Sequence, residues 1–215
     1  VSFFLTGTDT GVGKTFLAVQ LLRLLRATGI PAVAMKPICC GDRDDARLLL
    51  AASEEGISLD QLNPVWLRSP VAPAVAAEIE RVQIDIEKIV ASYRELQARF
   101  QCVVVEGVGG WLVPISENFF VSDLVARLQL PVVIVAQNRL GCLNHVLLTA
   151  ESVERRGLTC AGVVLNRIVS PEDLAQNTNE GQLRRTLHAP LLPPLIAETE
   201  QLPPEWERLA GNKRH

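Results

Sequence analysis

Two lysines, two carboxylates and a threonine hydroxyl in this chain have the types and spacing to handle a polyphosphate with a divalent cation. The run Gly7-Thr8-Asp9-Thr10-Gly11-Val12-Gly13-Lys14-Thr15 follows the apolar Phe3-Phe4-Leu5 and precedes the apolar-periodic Phe16-Leu17-Ala18-Val19. That order reads as strand, glycine loop, helix. Glycines let successive backbone N–H groups turn onto an anion, the helix start points its positive dipole end at the same place, and Lys14 adds a mobile charge. Thr15 is placed to hold Mg²⁺. Relative to G-x-x-x-x-G-K-[ST], Gly7 lies one residue too far out and Thr8 stands at the usual first glycine, so a variant loop is expected.

Three further residues close apolar runs of strand character. Lys36, followed by Pro37, ends Pro31–Met35; Glu106, followed by Gly107-Val108-Gly109-Gly110, ends Cys102–Val105; Asn166 ends Cys160–Leu165. In an open parallel sheet the carboxyl ends of the strands form the ligand-binding edge. Thr10 to Thr15, Lys36, Glu106 and Asn166 should therefore meet there, with Asp45 just beyond the second strand. Two carboxylates and a hydroxyl are the hard oxygen donors that Mg²⁺ prefers, the metal would bridge nucleotide phosphates, and phosphoryl transfer follows as the reaction class. A glutamate at the end of a buried strand is badly placed to be an idle surface charge. Lysine occurs only at positions 14, 36, 88 and 213, arginine supplying the rest of the positive charge, so Lys14 and Lys36 stand out as compact ammonium groups.

The elements that must carry these residues are legible in outline. Phe16 to Ala27 is dense in leucine, suiting a helix buried on a sheet, with Gly29 as its stop. Cys39 to Asp44 reads as a short polar loop and Asp45 to Ala52 as a helix capped by Asp44 or Asp45. Gly56 to Pro73 reads as a strandless loop folded over a site. Val75–Ile79 and Ile86–Phe100 are helical by period. Leu124–Leu130 continues a helix, Pro131–Ala136 is a covered strand, and Gly141 opens a helix to about Arg156. Asn177–Leu187 is polar and at best helical, Pro190–Leu195 holds a short edge strand, and Gly211–His215 is a frayed tail. Strand and helix alternate throughout. The fold class is α/β, a parallel β-sheet covered by helices on both faces, with a variant phosphate-binding loop.

At 215 residues and 48% hydrophobic side chains the chain can bury one core, and one nucleotide-binding domain over 1–215 is expected. A net charge of −3 without a basic block argues against a nucleic-acid surface. No apolar run reaches membrane-spanning length and no leader pattern opens the chain, which points to a cytoplasmic protein. Cys39, Cys40, Cys102, Cys142 and Cys160 lack C-x-x-C spacing, so neither a disulfide frame nor a zinc site is indicated.

The segments Gly7–Thr15, Lys36-Pro37, Asp45-Ala46, Val105-Glu106-Gly107-Val108-Gly109-Gly110-Trp111 and Leu140-Gly141-Cys142-Leu143-Asn144-His145 with Leu148-Thr149-Ala150 together resemble the dethiobiotin synthetases, ATP-dependent enzymes of biotin synthesis. The resemblance runs from Phe3 to about Leu192 and implies a P-loop NTPase-like homodimer. It implies conversion of 7,8-diaminopelargonate, CO₂ and ATP to dethiobiotin, ADP and phosphate. On matching positions it implies Thr15, Asp45 and Glu106 as Mg²⁺ ligands, Gly11, Val12, Gly13, Lys14, Thr15 and Phe16 as the phosphate cradle, and Lys36 as the catalytic lysine. Thr10, Cys40 and Glu106, Gly107, Val108 and Gly109 would face substrate and phosphate, and Gly141, Cys142, Leu143 and Asn144 would receive the substrate carboxylate from the partner subunit. Asn166, Arg167, Pro193, Pro194, Leu195 and Glu200 would lie on the nucleoside side. The helix face Leu143, Val146, Leu147 is the candidate dimer patch. Departures are Gly11 where many relatives carry an acid, Cys40 where serine is usual, and a short Lys36–Asp45 loop. Arg167-Ile168-Val169 lacks the acid of guanine-specific proteins, which favours adenine. Two rival readings are a partner-gated ATPase switch of the septum-placement type and an amide ligase of related fold. The switch group carries an extra lysine early in the loop, where Thr8 and Asp9 stand here, and the ligase needs a further domain.

Overall fold

The computed structural model describes residues 1–167 and 174–211. Its first half runs through β1 (Phe3–Gly7), α1 (Lys14–Ala27), β2 (Ala32–Met35), β3 (Ile38–Cys40), α2 (Asp44–Ala52), α3 (Leu59–Leu62), β4 (Val65–Leu67), α4 (Pro73–Glu80) and α5 (Ile86–Arg99). The second half follows with β5 (Cys102–Gly110), β6 (Pro114–Ser116), β7 (Phe119–Phe120), α6 (Val121–Leu128), β8 (Val132–Gln137), α7 (Cys142–Arg155), β9 (Cys160–Asn166), α8 (Leu174–Thr186) and α9 (Pro204–Leu209). Five strands form one parallel sheet in the order β2-β5-β1-β8-β9. β1 lies at its centre, with Phe4 in register with Val105 on one side and Val132 on the other.

Successive strand side chains point to opposite faces, so a strand covered on both sides reads as a nearly continuous apolar run. All five residues of β1 are buried. Phe3 and Leu5 join a core with Leu17, Leu21, Leu22 and Leu25 of α1, while Phe4 joins the opposite core with Ile89 and Tyr93 of α5, Val125 of α6 and Val146 of α7. Truncating a fully buried leucine such as Leu21 to alanine costs about 2–5 kcal/mol. That anchorage makes β1 and α1 a rigid frame for the loop between them.

The sequence expectations need correcting at several places. Val65–Leu67 is a strand, and it pairs in parallel with β3, which draws Cys39 and Cys40 out of the expected polar loop. Arg43, not Asp44 or Asp45, holds the N-cap position of α2; both acids sit in its first turn, where negative charge suits the helix dipole, and the Asp42 carboxylate accepts the Asp44 N–H. Pro190–Leu195 forms a single bridge from Leu191 to Val163, flanked by prolines that remove the donors a strand would need. The expected tail beyond Gly211 and the Ile168-Val169 pair lie outside the described residues.

Candidate active site

The carboxyl ends of β1, β2 and β5 open into a cavity of about 340 Å³ lined by Lys14, Lys36, Asp45, Glu106 and the glycine loop, with Cys39, Cys40, Asp42 and Val108 on its walls. Thr8, the residue after β1, still donates its N–H to Val135 O of β8 at 3.0 Å, so the loop leaves the sheet only after the position where a glycine is usual. Gly7 and Gly13 are needed for space. A Cβ at Gly7 would lie 2.7 Å from Lys14 Nζ, and at Gly13, whose φ is +88°, it would lie 2.7 Å from Asn166 Nδ2. Asn166 uses that approach: its Nδ2 donates to Val12 O at 3.0 Å and Gly13 O at 3.3 Å, which ties the end of β9 to the loop.

Lys14 is buried, and its Nζ donates to Asp9 O at 3.2 Å. Burial, with the neighbouring Lys36 charge, brings its pKa down to about 8. Lys36 is also buried but has counter-charges: Nζ lies 2.5 Å from Glu106 Oε1 and 3.1 Å from Asp45 Oδ2, and it reaches Gly107 O at 3.4 Å. Burial alone would lower its pKa; the Glu106 and Asp45 carboxylates outweigh that and raise it. Asp45, half-exposed, is held below the usual carboxylate range because Lys36 and a hydrogen bond from it outweigh desolvation. Glu106 is fully buried; Oε1 also accepts from Thr15 Oγ1 at 2.8 Å, while Oε2 is buried with no partner among the described residues. Asp44 instead pairs with Arg47 at 2.7 Å on the exposed side of α2 and does not line the cavity. Of the two adjacent acids, Asp45 is the one in the site.

A second, more apolar cavity of about 410 Å³ lies across the loop, lined by Gly13, Phe16, Asn166, Arg167, Pro194, Leu195 and Ile196. Pro193 lines a neighbouring cavity with Arg167, whereas Glu200 is exposed and lines neither. Two residues missed by the sequence reading hold this side in place: buried Trp206 of α9 donates Nε1 to Pro193 O at 2.9 Å, and Arg23 of α1 donates to Ala197 O and Thr199 O. The segment Gly141–Asn144 forms the start of α7, with Cys142 buried and Gly141 and Asn144 exposed, and it does not line the loop cavity of its own chain. The dimer patch is corrected in part, since Val146 is fully buried in the core; Leu140 and Leu148 are the exposed apolar residues there. His145 is exposed, and its carbonyl accepts from Thr149.

A family model described as an AAA domain matches residues 2–200. The ATP-dependent dethiobiotin synthetase BioD of Akkermansia muciniphila is 46% identical over 195 residues, which cover 91% of this chain and 92% of that protein. The chain belongs to the dethiobiotin synthetase family. The family's enzyme from Aromatoleum aromaticum is 45% identical over 199 residues, 89% of this chain and 88% of its own. Among solved structures, the septum site-determining protein MinD of Pyrococcus horikoshii, complexed with Mg-ADP, superposes with a TM-score of 0.57 at 16% identity, covering 89% of this chain and 79% of that one. MinD of Aquifex aeolicus gives 0.54 at 19% identity, over 88% and 79%. At that identity the likeness is one of fold. The synthetase family thus shares the architecture of the septum-placement ATPases, while sequence kinship runs to the synthetases.

Proposed function

We propose that this chain catalyses ATP-dependent closure of the ureido ring of dethiobiotin from 7,8-diaminopelargonate and CO₂, releasing ADP and phosphate. The observation that carries the reading is the Lys36–Glu106–Asp45–Thr15 cluster at the mouth of the glycine loop, in a chain of this family. The loop amides and Lys14 hold the phosphates. One substrate amine attacks CO₂ and loses a proton to give a carbamate; a carbamate oxygen attacks the γ-phosphorus and ADP leaves; the second amine attacks the carbamoyl carbon and phosphate leaves. Lys36 serves this sequence as fixed positive charge beside the carbamate and the transferring oxygens. A nucleophilic lysine must be free and uncharged, whereas Lys36 is buried between two carboxylates, 2.5 Å from Glu106 Oε1 and 3.1 Å from Asp45 Oδ2, which supports the electrostatic role.

Thr15, Asp45 and Glu106 would hold Mg²⁺, which when bound neutralises charge on the phosphate oxygens. The donor set fits, and buried, unpartnered Glu106 Oε2 is an oxygen in want of a cation or a donor. Two carboxylates and a hydroxyl are the hard oxygen donors that would suit Mg²⁺ beside bound phosphates. Thr10 and Cys40 would face the diamine from the cavity wall. Phe16, Asn166, Arg167, Pro194 and Leu195 would receive the nucleoside.

A homodimer completes the site in this reading. The Cys142 N–H at the start of α7 donates to Arg139 O at 3.1 Å and no side chain among the described residues caps the helix, so the Leu143 and Asn144 N–H groups are the ones that would meet a carboxylate arriving from the partner's site. Exposed Leu140 and Leu148 on the same segment suit a two-fold contact. A fully active monomer in ultracentrifugation would contradict it. The chain works as one unit over 1–215, in the cytoplasm where ATP is available; among the described residues no helix is long and apolar enough to cross a membrane.

The test is ADP release with diaminopelargonate and bicarbonate supplied or withheld. Turnover that requires both is expected. Turnover indifferent to the diamine but raised by a protein or DNA partner would instead identify an ATPase switch.

A further inference from the structure

Lys36 follows β2 and Asp45 lies in the first turn of α2, so the 3.1 Å ion pair between them depends on how those two elements are braced. We propose that Asn63, which does not line the cavity, is that brace and acts as a positioning residue for the reaction. Its side chain is buried, at 1% exposure. Nδ2 donates to Lys36 O at 2.8 Å and to Val65 O at 2.9 Å, and Oδ1 accepts from Arg43 Nε at 2.9 Å. Arg43 holds the N-cap position of α2, two residues before Asp45, and its Nη2 donates to Asn63 O, Leu59 O and the Asp60 carboxylate. The Lys36 N–H in turn donates to Leu62 O at 2.9 Å.

Both backbone polar groups of Lys36 are thus gripped by consecutive residues, 62 and 63, and the Asn63 amide carries that grip across to the start of α2. A closed circuit results: Lys36 backbone, Asn63, Arg43, α2, Asp45, and back to the Lys36 ammonium. Trp66 stiffens the same corner, its Nε1 donating to Gly41 O at 2.8 Å while Arg43 stacks over its ring at 5.2 Å. Only a primary amide suits position 63. A carboxylate would set negative charge against the Lys36 and Val65 carbonyls, and an apolar side chain would strip Arg43 Nε and both carbonyls of this partner.

The proposal rests on the synthetase reading, and three variants test it: Asn63→Asp, Asn63→Leu and Arg43→Lys, which keeps charge beside Asp60 and Trp66 but removes the Nε donor. Displacing a reacting group by about 1 Å costs on the order of a hundredfold, so kcat for dethiobiotin formation should fall by roughly ten- to a hundredfold. Nucleotide affinity should stay at the wild-type value, because the glycine loop hangs on β1 and α1. In the Asn63→Asp/Arg43→Lys double variant the loss should be no greater than in the worse single variant, as expected for two parts of one brace. A lowered Tm with kcat unchanged in the variants would overturn the positioning role and leave a structural one. Should the Asn63 variants fail to fold, Arg43→Lys alone decides by the same kcat criterion. Absence of product from the wild-type protein would instead overturn the synthetase reading.

Discussion

The two cavities that flank the glycine loop are built on opposite principles. On the side of β2 and β5, charged groups converge and partner one another: Lys36 spans Glu106 and Asp45, Thr15 joins Glu106, and Lys14 stands nearby. On the side of β9, the wall is Phe16, Pro194, Leu195 and Ile196, with polar atoms mainly from Asn166 and Arg167. Charges fixed by each other and by strand ends act on a reaction through preorganisation, whereas an apolar wall contributes area and is indifferent to the chemical step. Substitutions on the first side should therefore lower kcat, and those on the second should raise KM for ATP.

The largest break in that contrast should come from Lys36→Met. Losing a preorganised charge typically costs about 10²–10³ in rate, and single-turnover assays with labelled bicarbonate should show a loss of at least that order while calorimetry shows nucleotide still bound. The same change leaves Glu106 buried and unpaired, a condition worth about 3–5 kcal/mol. Adding Glu106→Gln should then recover Tm without recovering turnover. Recovery of both would mean that Lys36 serves stability alone.

Lys14→Ala should come next, with about 3 kcal/mol of transition-state stabilisation lost and the fold kept. Its ammonium has one hydrogen bond among the described groups, so the core loses little. Wild-type turnover would remove the phosphate-loop role.

Asp45→Asn should raise the Mg²⁺ concentration needed for half-maximal rate several-fold, whereas Asp44→Asn should leave it unchanged, since Asp44 pairs with Arg47 outside the cavity. A metal titration in which the two variants behave alike would dissolve the distinction between the adjacent acids.

The smallest effect belongs to the apolar side. Phe16 is 47% exposed, and its truncation to alanine should cost about 1 kcal/mol of nucleotide binding, a several-fold rise in KM with kcat intact. A fall in kcat instead would show that the nucleoside wall also orients the phosphates.

The same contrast explains what could be read from the sequence. Lys14 was legible from the glycine loop before it, and Lys36, Glu106 and Asn166 because each ends a continuous apolar run and a parallel sheet gathers such ends at one edge. Asn63, Trp206 and Arg23 were not, since the partners that give them their roles, Lys36 O, Pro193 O and Ala197 O, lie 27, 13 and 174 residues away and leave no local period. The β3–β4 pair escaped for that reason too: three-residue strands separated by two helices show no alternation long enough to count. Val146 joins the expected dimer patch because the resemblance of Gly141–Asn144 to a shared-site segment points to the apolar face beside it, although such a face is equally the one a helix turns to its own sheet.

The central claim, that a carbamate formed in this cavity takes the γ-phosphoryl group, is tested most directly by following oxygen. With CO₂ labelled in both oxygens by ¹⁸O and used before it exchanges with water, the attacking carbamate oxygen remains on phosphorus when the ring closes. The account predicts that inorganic phosphate released with dethiobiotin carries one labelled oxygen from CO₂. Unlabelled phosphate, formed at the same rate as product, would contradict it.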